Sequence, residues 1–549
     1  MTQTTVNKAP TTRPRPDGEG ASPPKTASFW LSLLAITIAT FLAALDTSAV
    51  STALPTIINH FQGQQFVWIG SAYTLAGVAF LPLSGHFANL FGRRPILLIG
   101  LALFAVGSAL CGAASSMAML IGGRTVQGLG AGVILALTEI ILADLVPLRE
   151  RGAYQGAIGL IWSIASIIGP LVGGAFAART DWTWRGLFYM NLPLTGISMV
   201  LCLLFLNLKT PHAPLSERLS RIDWIGNILV MGSTTSALLG LTWGGIQFAW
   251  SSAQVLAPLI IGFVGLGAWV VYEIYVPVEP TIPFRLLTNR TTLSGYIGTG
   301  LHGFIISAAL FYLPVYFQAC KDSSPVGSGV NVLPYSLSIV PFAIVAGGTA
   351  TGMNKYKPQN VIAWACITIG MGLQSTLHAD SATRNWIRFQ IVAGIGFGML
   401  FTATTFPILA PLPVELNASA LAFFIFIRTF FQVRLPSLCV PVQATDARCN
   451  EPAADSASGC ILASLPQGVE ISYAAIPQIK GLGEPMKGAV RAAFADSLDV
   501  LWEVMIAVSG LGFLSAWLMR EVGLQQITDE NWGLNESPDR GTAAEEKRV

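Results

Sequence analysis

The chain has 549 residues, of which 52% are hydrophobic and only 11% are charged. Soluble domains carry roughly 25% charged residues, so a chain this poor in charge cannot cover a water-facing surface and is expected to be an integral membrane protein. Its formal net charge of +2 offers no large basic field to nucleic acid.

The first 28 residues are polar and rich in proline, and we expect them to form a disordered cytoplasmic tail. Apolar runs then recur along the chain, and a helix that crosses ~30 Å of hydrocarbon needs ~20 such residues. The runs are continuous rather than alternating, which favours helices over the strands of a membrane barrel. They predict fourteen transmembrane helices, at residues 29–50, 66–85, 95–114, 120–143, 153–176, 187–208, 223–244, 256–276, 293–318, 331–350, 360–378, 387–408, 415–433 and 498–519.

Lysine and arginine are unevenly distributed over the loops between these runs. If the N-terminus is cytoplasmic, the inner loops hold most of them, including Arg93, Arg94 and Arg149. Cytoplasmic loops carry an excess of these residues, so both tails are predicted to be cytoplasmic.

Two stretches of the sequence resemble one another. "GLGAGVILALT" begins at Gly128 in the fourth predicted helix, and "GIGFGMLFTAT" begins at Gly394 in the twelfth. Matching glycine patterns eight helices apart indicate two related halves of six helices, which is a common plan of transporters. We therefore predict an all-α polytopic membrane protein with a first bundle at 29–208, a cytoplasmic linker at 209–222, an inserted helix pair at 223–276, a second bundle at 277–519 and a cytoplasmic tail at 520–549.

No catalytic or cofactor motif is found in the sequence. It contains neither a phosphate-binding G-x-x-x-x-G-K-[ST] nor H-E-x-x-H or G-x-S-x-G, and the seven cysteines show no metal-ligand spacing. We expect no enzyme activity, no metal and no cofactor. Without a nucleotide site, an ion gradient is the energy source that remains for transport.

Charged residues within predicted helices 1 and 4 are candidate functional residues. Asp46 lies in helix 1, where a carboxylate near mid-membrane costs ~2.5–3.5 kcal/mol on insertion scales. Arg124 lies about one turn inside helix 4 and shares a face with Gln127, and Glu139 lies deeper in the same helix. Both acids are candidate proton-binding groups. The alternatives are a structural hydrogen bond for Asp46 and a helix-end acid near the inner surface for Glu139. Weaker candidates are His302 and Arg428.

Five stretches, in order along the chain, resemble the motifs of a known family. They are "LDTSAVSTALP" in helix 1, "GHFANLFGRRP" between helices 2 and 3, "RTVQGLGAG" in helix 4, a glycine series in helix 5 and "WRGLFYMNLP" at the outer start of helix 6. Together they resemble the fourteen-helix drug:proton antiporter branch of the major facilitator superfamily, most closely its fungal multidrug and secondary-metabolite exporters. The resemblance covers roughly residues 28–433 and 465–520, and it implies the major facilitator fold of two six-helix bundles with two inserted helices.

In "GHFANLFGRRP", we expect Gly85 and Gly92 to allow a tight turn between helices 2 and 3. The resemblance implies that this loop forms a cytoplasmic latch between the halves, with Asp144 as the natural partner of its arginines; a plain topology anchor is the alternative. Asn89 stands where the family usually has an acid, and it cannot hold a salt bridge. The predicted latch comprises Gly85, Asn89, Gly92, Arg93, Arg94, Asp144 and Arg151.

Helix 5 carries the residues that match the antiporter motif of the family. Glycines let helices approach closely, and a proline removes a backbone donor and kinks a helix. We expect a hinge or seal at the interface between the halves rather than chemistry. The residues concerned are Gly156, Gly169, Pro170, Gly173 and Gly174, with Ala165 where a glycine is usual.

One segment departs from the family pattern. Residues 434–464, within a predicted extracellular loop at 434–497, are polar, contain prolines and are rich in cysteine, where family members continue helix 13 with apolar residues. We interpret this stretch as a translated intron or shifted frame. The alternative is a genuine extracellular loop tied by disulfides among Cys439, Cys449 and Cys460.

The resemblance implies a monomeric, proton-coupled exporter of drugs, toxins or secondary metabolites, which works by alternating access in the plasma membrane. Outside protons would titrate Asp46 or Glu139, Arg124 would be their electrostatic partner, and Gln127 would face the substrate cavity. The expected partners are a small-molecule substrate, protons and the lipid bilayer, with no nucleic acid. Two alternatives are an uptake or vacuolar transporter of a siderophore or amino-acid-like solute, and a non-transporting receptor on a transporter scaffold.

Overall fold

The computed structural model describes residues 25–61, 67–178, 184–209, 214–244, 247–277, 280–433, 479, 481, 483–528 and 532. The atypical segment 434–464 and most of the N-terminal tail therefore lie outside the described residues. The long helices are α1 (Ala27–Phe61), α2 (Val67–Phe91), α3 (Arg93–Gly112), α4 (Met117–Leu145), α5 (Leu148–Ala178), α6 (Asn191–Phe205), α7 (Trp224–Trp243), α8 (Ala253–Tyr275), α9 (Arg290–Cys320), α10 (Leu333–Met353), α11 (Lys357–Gln374), α12 (Thr383–Ala403), α13 (Asn417–Gln432) and α14 (Met486–Trp517).

Each predicted apolar run overlaps one of these helices, which confirms the all-α polytopic class. Within the described ranges, thirteen helical segments are long and apolar enough to cross a membrane. The remaining long helix, α11, is less apolar than the other thirteen, because polar residues occupy both of its ends, from Lys357 to Asn360 and at Gln374. Several helices run beyond their apolar cores, because backbone hydrogen bonding continues through polar residues: α1 extends to Phe61, and α14 begins at Met486 rather than at 498.

The two halves pack by the same rule around their matching glycines. In α4, a Cβ built on Gly130 would lie 2.5 Å from the carbonyl oxygen of Gly100 in α3, while the neighbouring glycines contact α2. In α12, a Cβ on Gly396 would lie 2.5 Å from the carbonyl oxygen of Ala363 in α11, and Gly394 contacts α10. Helices α2, α3 and α4 thus correspond to α10, α11 and α12, eight helices apart.

The halves meet through α2 and α4 against α13, and through α5 against α10 and α12. Near the cytoplasmic ends of α5 and α10, a Cβ built on Gly347 would lie 2.5 Å from the backbone carbon of Gly152, and one on Gly156 would lie 2.7 Å from Ile344 Cγ1. These close approaches seal the halves against each other on the side that the positive-inside pattern assigns to the cytoplasm.

The expected turn from Gly85 to Gly92 is wrong in its extent. Helix α2 continues to Phe91, so Gly92 alone separates it from α3. Gly92 has φ 95°, a conformation that favours glycine. Gly85 lies inside α2, where a Cβ would come within 2.6 Å of the Cβ of Ala422 in α13. The absence of a side chain at Gly85 allows close contact between the halves and plays no part in the turn.

The inserted pair lies against the first half. Helix α7 packs along α8 and also along α2, and the rings of Trp68 and Trp243 are 6.1 Å apart. Beyond α8, the Thr281 hydroxyl donates a hydrogen bond of 3.0 Å to Asn227 Oδ1 in α7. The pair is therefore attached to the periphery of the first bundle and tied to the start of the second.

The chain after α14 crosses both halves on the face that the positive-inside pattern assigns to the cytoplasm. Gln525 donates from its side chain to the carbonyl of Leu412 (2.7 Å) in the second half, and its own carbonyl accepts from the backbone N–H of Arg149 (3.3 Å) in the first. The backbone N–H of Leu524 donates to Asn354 Oδ1 (2.9 Å). The predicted tail thus begins with an ordered segment that contacts both bundles.

We expect Gly130→Ala and Gly396→Ala to lower the melting temperature in detergent, because overpacking costs about 1–3 kcal/mol. The matched control is Gly122→Ala, also in α4, where a Cβ meets nothing within 4 Å. In that open position the exchange should be neutral or stabilising. Equal melting temperatures for the three variants would contradict the close packing.

Candidate functional site

A buried ion pair lies in the outer part of the first half. Arg124 Nη1 is 2.5 Å from Asp46 Oδ2, and the two residues are 2% and 0% exposed. The other carboxylate oxygen, Oδ1, accepts hydrogen bonds of 2.9 Å from the side-chain amides of Gln127 and Asn191. Three donors from α4 and α6 therefore surround one carboxylate of α1.

The arginine of this pair is satisfied on its other sides as well. Arg124 Nε donates to the carbonyl of Ile69 (3.1 Å), Nη1 also donates to Gln127 Oε1 (2.6 Å), and the guanidinium carbon lies 4.1 Å from the centroid of the Tyr73 ring. The Gln127 amide donates further to the Ser108 hydroxyl (2.9 Å). Because removal of one partner would strand the other as a buried charge, any change of charge at Asp46 requires this whole cluster to rearrange.

Gln127 was predicted from the sequence to be a site residue, whereas Asn191 was not. Gln127 is fully buried and bridges Asp46 and Arg124, so the structure places it inside the charge cluster rather than at a cavity surface. Asn191 was not singled out as a site residue, although it stands in the quoted motif "WRGLFYMNLP". A polar amide at the start of an apolar helix was the signal that could have identified it.

The second acid lies toward the opposite end of α4 from Arg124. Glu139 is about 22 Å from Arg124 along α4, at a rise of 1.5 Å per residue. Its Oε2 accepts a hydrogen bond of 3.1 Å from the side-chain amide of Gln155 in α5. Arg151 in α5 and Arg428 in α13 are both close enough to interact electrostatically with it. The structure therefore does not bring Asp46 and Glu139 into one site but places them in two separate clusters.

The latch residues gather at the cytoplasmic end of α3 and α4. Arg93 Nε donates to Asp144 Oδ2 (2.8 Å), and its Nη1 donates to the carbonyl of Ala88 (3.0 Å). The ring of Trp532, beyond α14, lies 3.3 Å from the Arg93 guanidinium carbon. This buried pair joins two helices of the same half, and the aromatic ring covers it from the tail.

The remaining latch residues lie around this pair. Arg94 donates to the carbonyl of Leu203 at the inner end of α6, and Asn89 is half-buried near the end of α2. Arg151 is buried and donates through Nη2 to the carbonyls of Ala143 and Val146 (both 3.1 Å). These contacts hold the inner ends of α2 to α6 together within the first half.

The glycine series of α5 divides between two neighbours. Cβ atoms built on Gly169 and Gly173 would collide with α1, at Ser48 and Ala49, whereas Gly156 faces α10. Pro170 is exposed, and Gly174 has open space where a side chain would be. Only the inner part of the series faces the other half; the outer part packs α5 on α1.

The weaker candidates take different positions. His302 in α9 is buried, with its ring 5.6 Å from that of Phe397, which is a packing position. The Arg428 guanidinium carbon lies 4.1 Å from the centroid of the Phe401 ring, and its charge interacts electrostatically with Glu139 of the other half. The structure therefore gives Arg428 more significance than its isolated position in the sequence suggested.

Two related helical halves, sealed at one face and built around intramembrane ion pairs, define a multi-pass membrane transport protein. Members of known families agree with this class. The sequence pattern of the Major Facilitator Superfamily matches residues 36–433. The chain therefore belongs to the major facilitator superfamily, whose members are transporters of small molecules and not enzymes.

Named fungal transporters are similar over almost the whole chain. The MFS-type efflux pump LUC4 of Fusarium sp is 40% identical over 527 residues, which cover 95% of this chain and 93% of LUC4. The efflux pump FUS6 of Gibberella moniliformis is 39% identical (98% and 95% covered), and the acurin A biosynthesis cluster MFS-type transporter of Aspergillus aculeatus is 37% identical (94% of each).

Solved structures share the fold at low sequence identity. The proton:xylose symporter XylE superposes with a TM-score of 0.58 at 14% identity, covering 91% of this chain and 98% of XylE. The human organic anion transporter MFSD10 gives a TM-score of 0.56 at 12% identity, covering 91% and 100%. At this level of sequence identity, both superpositions show only that the fold is shared.

We expect Gly92→Ala to lower the melting temperature. Its φ of 95° and ψ of 154° lie in a region that only glycine adopts freely, where other residues cost on the order of 1–3 kcal/mol. Gly70→Ala in α2, where a Cβ meets nothing within 4 Å, is the control. If Gly92→Ala melted with the wild type, the backbone at the start of α3 would differ from the one described.

Proposed function

We propose that this chain is a proton-coupled efflux transporter that exports small amphipathic or apolar molecules by alternating access. The single observation that carries the proposal is the ion pair of Asp46 and Arg124, closed off from solvent inside a transporter fold. A carboxylate in such a position is expensive to keep in hydrocarbon, and an exchangeable proton gives it a function.

Protonation of Asp46 would neutralise the carboxylate and leave the Arg124 guanidinium without its counter-ion. Breaking a buried pair in this way costs about 3–5 kcal/mol, which the cluster must recover by rearranging around Arg124. Gln127 and Asn191, which bond the same carboxylate, would move with it. Proton binding at this point would therefore be linked to a shift of α4 and α6 against α1.

Efflux rather than uptake is supported by the relatives. LUC4 and FUS6 are named efflux pumps, and the Aspergillus relative is named for the acurin A biosynthesis cluster. We propose that this chain likewise exports a secondary metabolite or toxin of a fungal cell, as a monomer in the plasma membrane. The substrate would be held between the halves mainly by apolar contacts, since such sites are lined mostly by apolar and aromatic groups.

The ion pair of Arg93 and Asp144 joins α3 to α4 within the first half, so it does not itself connect the two halves. A latch at the inner face would act through Gly85, which packs on α13 of the second half. Because the pair is buried and Gly85 packs directly on α13, the inner ends of α2, α3 and α4 would move together when the cytoplasmic side opens. The glycines of α5 would act as the seal against α10 at Gly156 and as the contact surface with α1 at Gly169 and Gly173.

Deletion of the gene tests the direction of transport. Loss of an exporter should raise the intracellular level of its substrate and lower the level in the medium, as measured by mass spectrometry of both fractions. Reintroduction of the wild-type gene should restore the distribution. A fall of the intracellular level instead would favour an uptake carrier.

Asp46→Asn tests the proton coupling. In proteoliposomes with an imposed pH gradient, we expect the variant to reduce movement of a fluorescent probe such as rhodamine 6G to the level of protein-free vesicles, because the amide cannot exchange a proton. Glu415→Gln, at an exposed position before α13, is the control and should transport normally. A wild-type rate in Asp46→Asn would remove Asp46 from the mechanism.

A further inference from the structure

The two intramembrane acids differ in which half supplies their partners. The donors to Asp46 come from Arg124, Gln127 and Asn191, all in the first half. When the halves swing apart, none of these bonds has to break. Because none of its hydrogen bonds crosses the interface between the halves, Asp46 does not directly determine whether the cytoplasmic side is open or closed.

Glu139 lies on a bridge between the halves. The amide nitrogen of Gln155 donates both to Glu139 Oε2 (3.1 Å) and to the hydroxyl of Thr405 (3.2 Å). Glu139 and Gln155 belong to the first half, whereas Thr405 begins the short helix Thr405–Leu409 between α12 and α13 of the second. All three side chains are buried, so this bridge is shielded from water.

Two guanidinium groups lie near enough to the Glu139 carboxylate to interact with it electrostatically. Arg151, on α5, belongs to the first half and also interacts with Asp144; Arg428, on α13, belongs to the second half. The attraction between Glu139 and Arg428 therefore acts across the interface, in the same direction as the Gln155 bridge. A negative charge at position 139 holds the two halves together.

The bridge lies within the cytoplasmic seal. Gly152 and Gly156, on either side of Gln155 in α5, face Gly347 and Ile344 of α10, and Gly159 faces Phe401 of α12. The cytoplasmic ends cannot separate along these contacts without pulling Gln155 away from Thr405. The same movement would draw Arg428 away from Glu139.

We infer that Gln155 is a positioning residue that makes the cytoplasmic seal depend on the protonation of Glu139, so that the proton taken up there releases the inner face. The inference rests on the proposed proton-coupled transport. A hydrogen bond to an ionised carboxylate is roughly twice as strong as a neutral one. Protonation weakens the bond from Gln155 to Glu139, which orients the amide toward Thr405, and it abolishes the attraction between Glu139 and Arg428. The first change releases the hydrogen bond to Thr405, and the second removes an electrostatic attraction across the same interface.

The test measures the distance between the cytoplasmic ends directly. Spin labels at Pro95→Cys in the first half and Lys355→Cys in the second, both exposed, are introduced into the full chain with its native cysteines replaced by serine. Pulsed electron paramagnetic resonance in nanodiscs then gives the populations of short and long distances in alkaline and acidic buffer. We expect the unaltered site to show the short distance in alkaline buffer and a growing long-distance population in acid.

Glu139→Gln should show the long distance in both buffers, since it mimics the protonated side chain. Gln155→Leu and Thr405→Val each remove the hydrogen bond that crosses the interface. Each should shift the closed-to-open ratio in alkaline buffer by about fivefold, the order expected for one neutral hydrogen bond, and should flatten the pH response. Ser163→Ala, whose hydroxyl bonds only to its own helix, is the control and should respond as the unaltered site does.

A Glu139→Gln variant with an unaltered pH response would overturn the inference. The inference would also be overturned if Gln155→Leu and Thr405→Val raised the long-distance population by the same factor in both buffers and left the difference between the buffers unchanged. The bridge would then have a structural role only. The readout does not require transport. Failure of proton-driven transport in the wild type, with the pH-dependent distances retained, would therefore reject the proposed function and leave this inference standing.

Discussion

The absence of water in the bilayer core is the constraint on which this structure depends. Backbone groups must be satisfied within each helix, and charged side chains must be satisfied by one another. Asp46 and Arg124 meet this requirement through a cluster of donors and acceptors from α1, α2, α4 and α6. The cluster fixes the relative positions of those helices for as long as the Asp46 carboxylate is charged.

The helices were predictable from the sequence because burial in lipid requires long apolar runs, and the fourteen runs leave little choice of secondary structure. The pairing of the halves was also visible, since Gly130 and Gly396 occupy equivalent places where helices touch. The helix ends were less predictable. Hydropathy detects the edge of the hydrocarbon, whereas a helix such as α2 continues past it until Gly92 breaks the pattern.

The charged residues of the two clusters could be recognised from the sequence, and the family resemblance also implied the pairs that Arg124 and Asp144 form, but the neutral residues that join them could not be recognised. Asp46, Arg124 and Glu139 stand out because charge is rare in such helices, and sequence spacing says nothing about which faces of α1 and α4 meet. Asn191 and Gln155 escaped notice for a different reason. A neutral amide carries a small penalty in a helix, so its importance emerges only when its neighbours in space are charged. The role of Gly85 was misjudged because a glycine looks the same whether it turns the chain or admits another helix.

The ordered segment after α14 has a practical consequence for handling the protein. Residues near Gln525 contact both bundles, and the Trp532 ring covers the Arg93 side chain. Truncation before Gln525, or an affinity tag or fluorescent fusion joined there, would disturb contacts at the inner mouth of the carrier. Reporters for purification or imaging are better attached beyond the last residue through a long spacer, or at the opposite terminus.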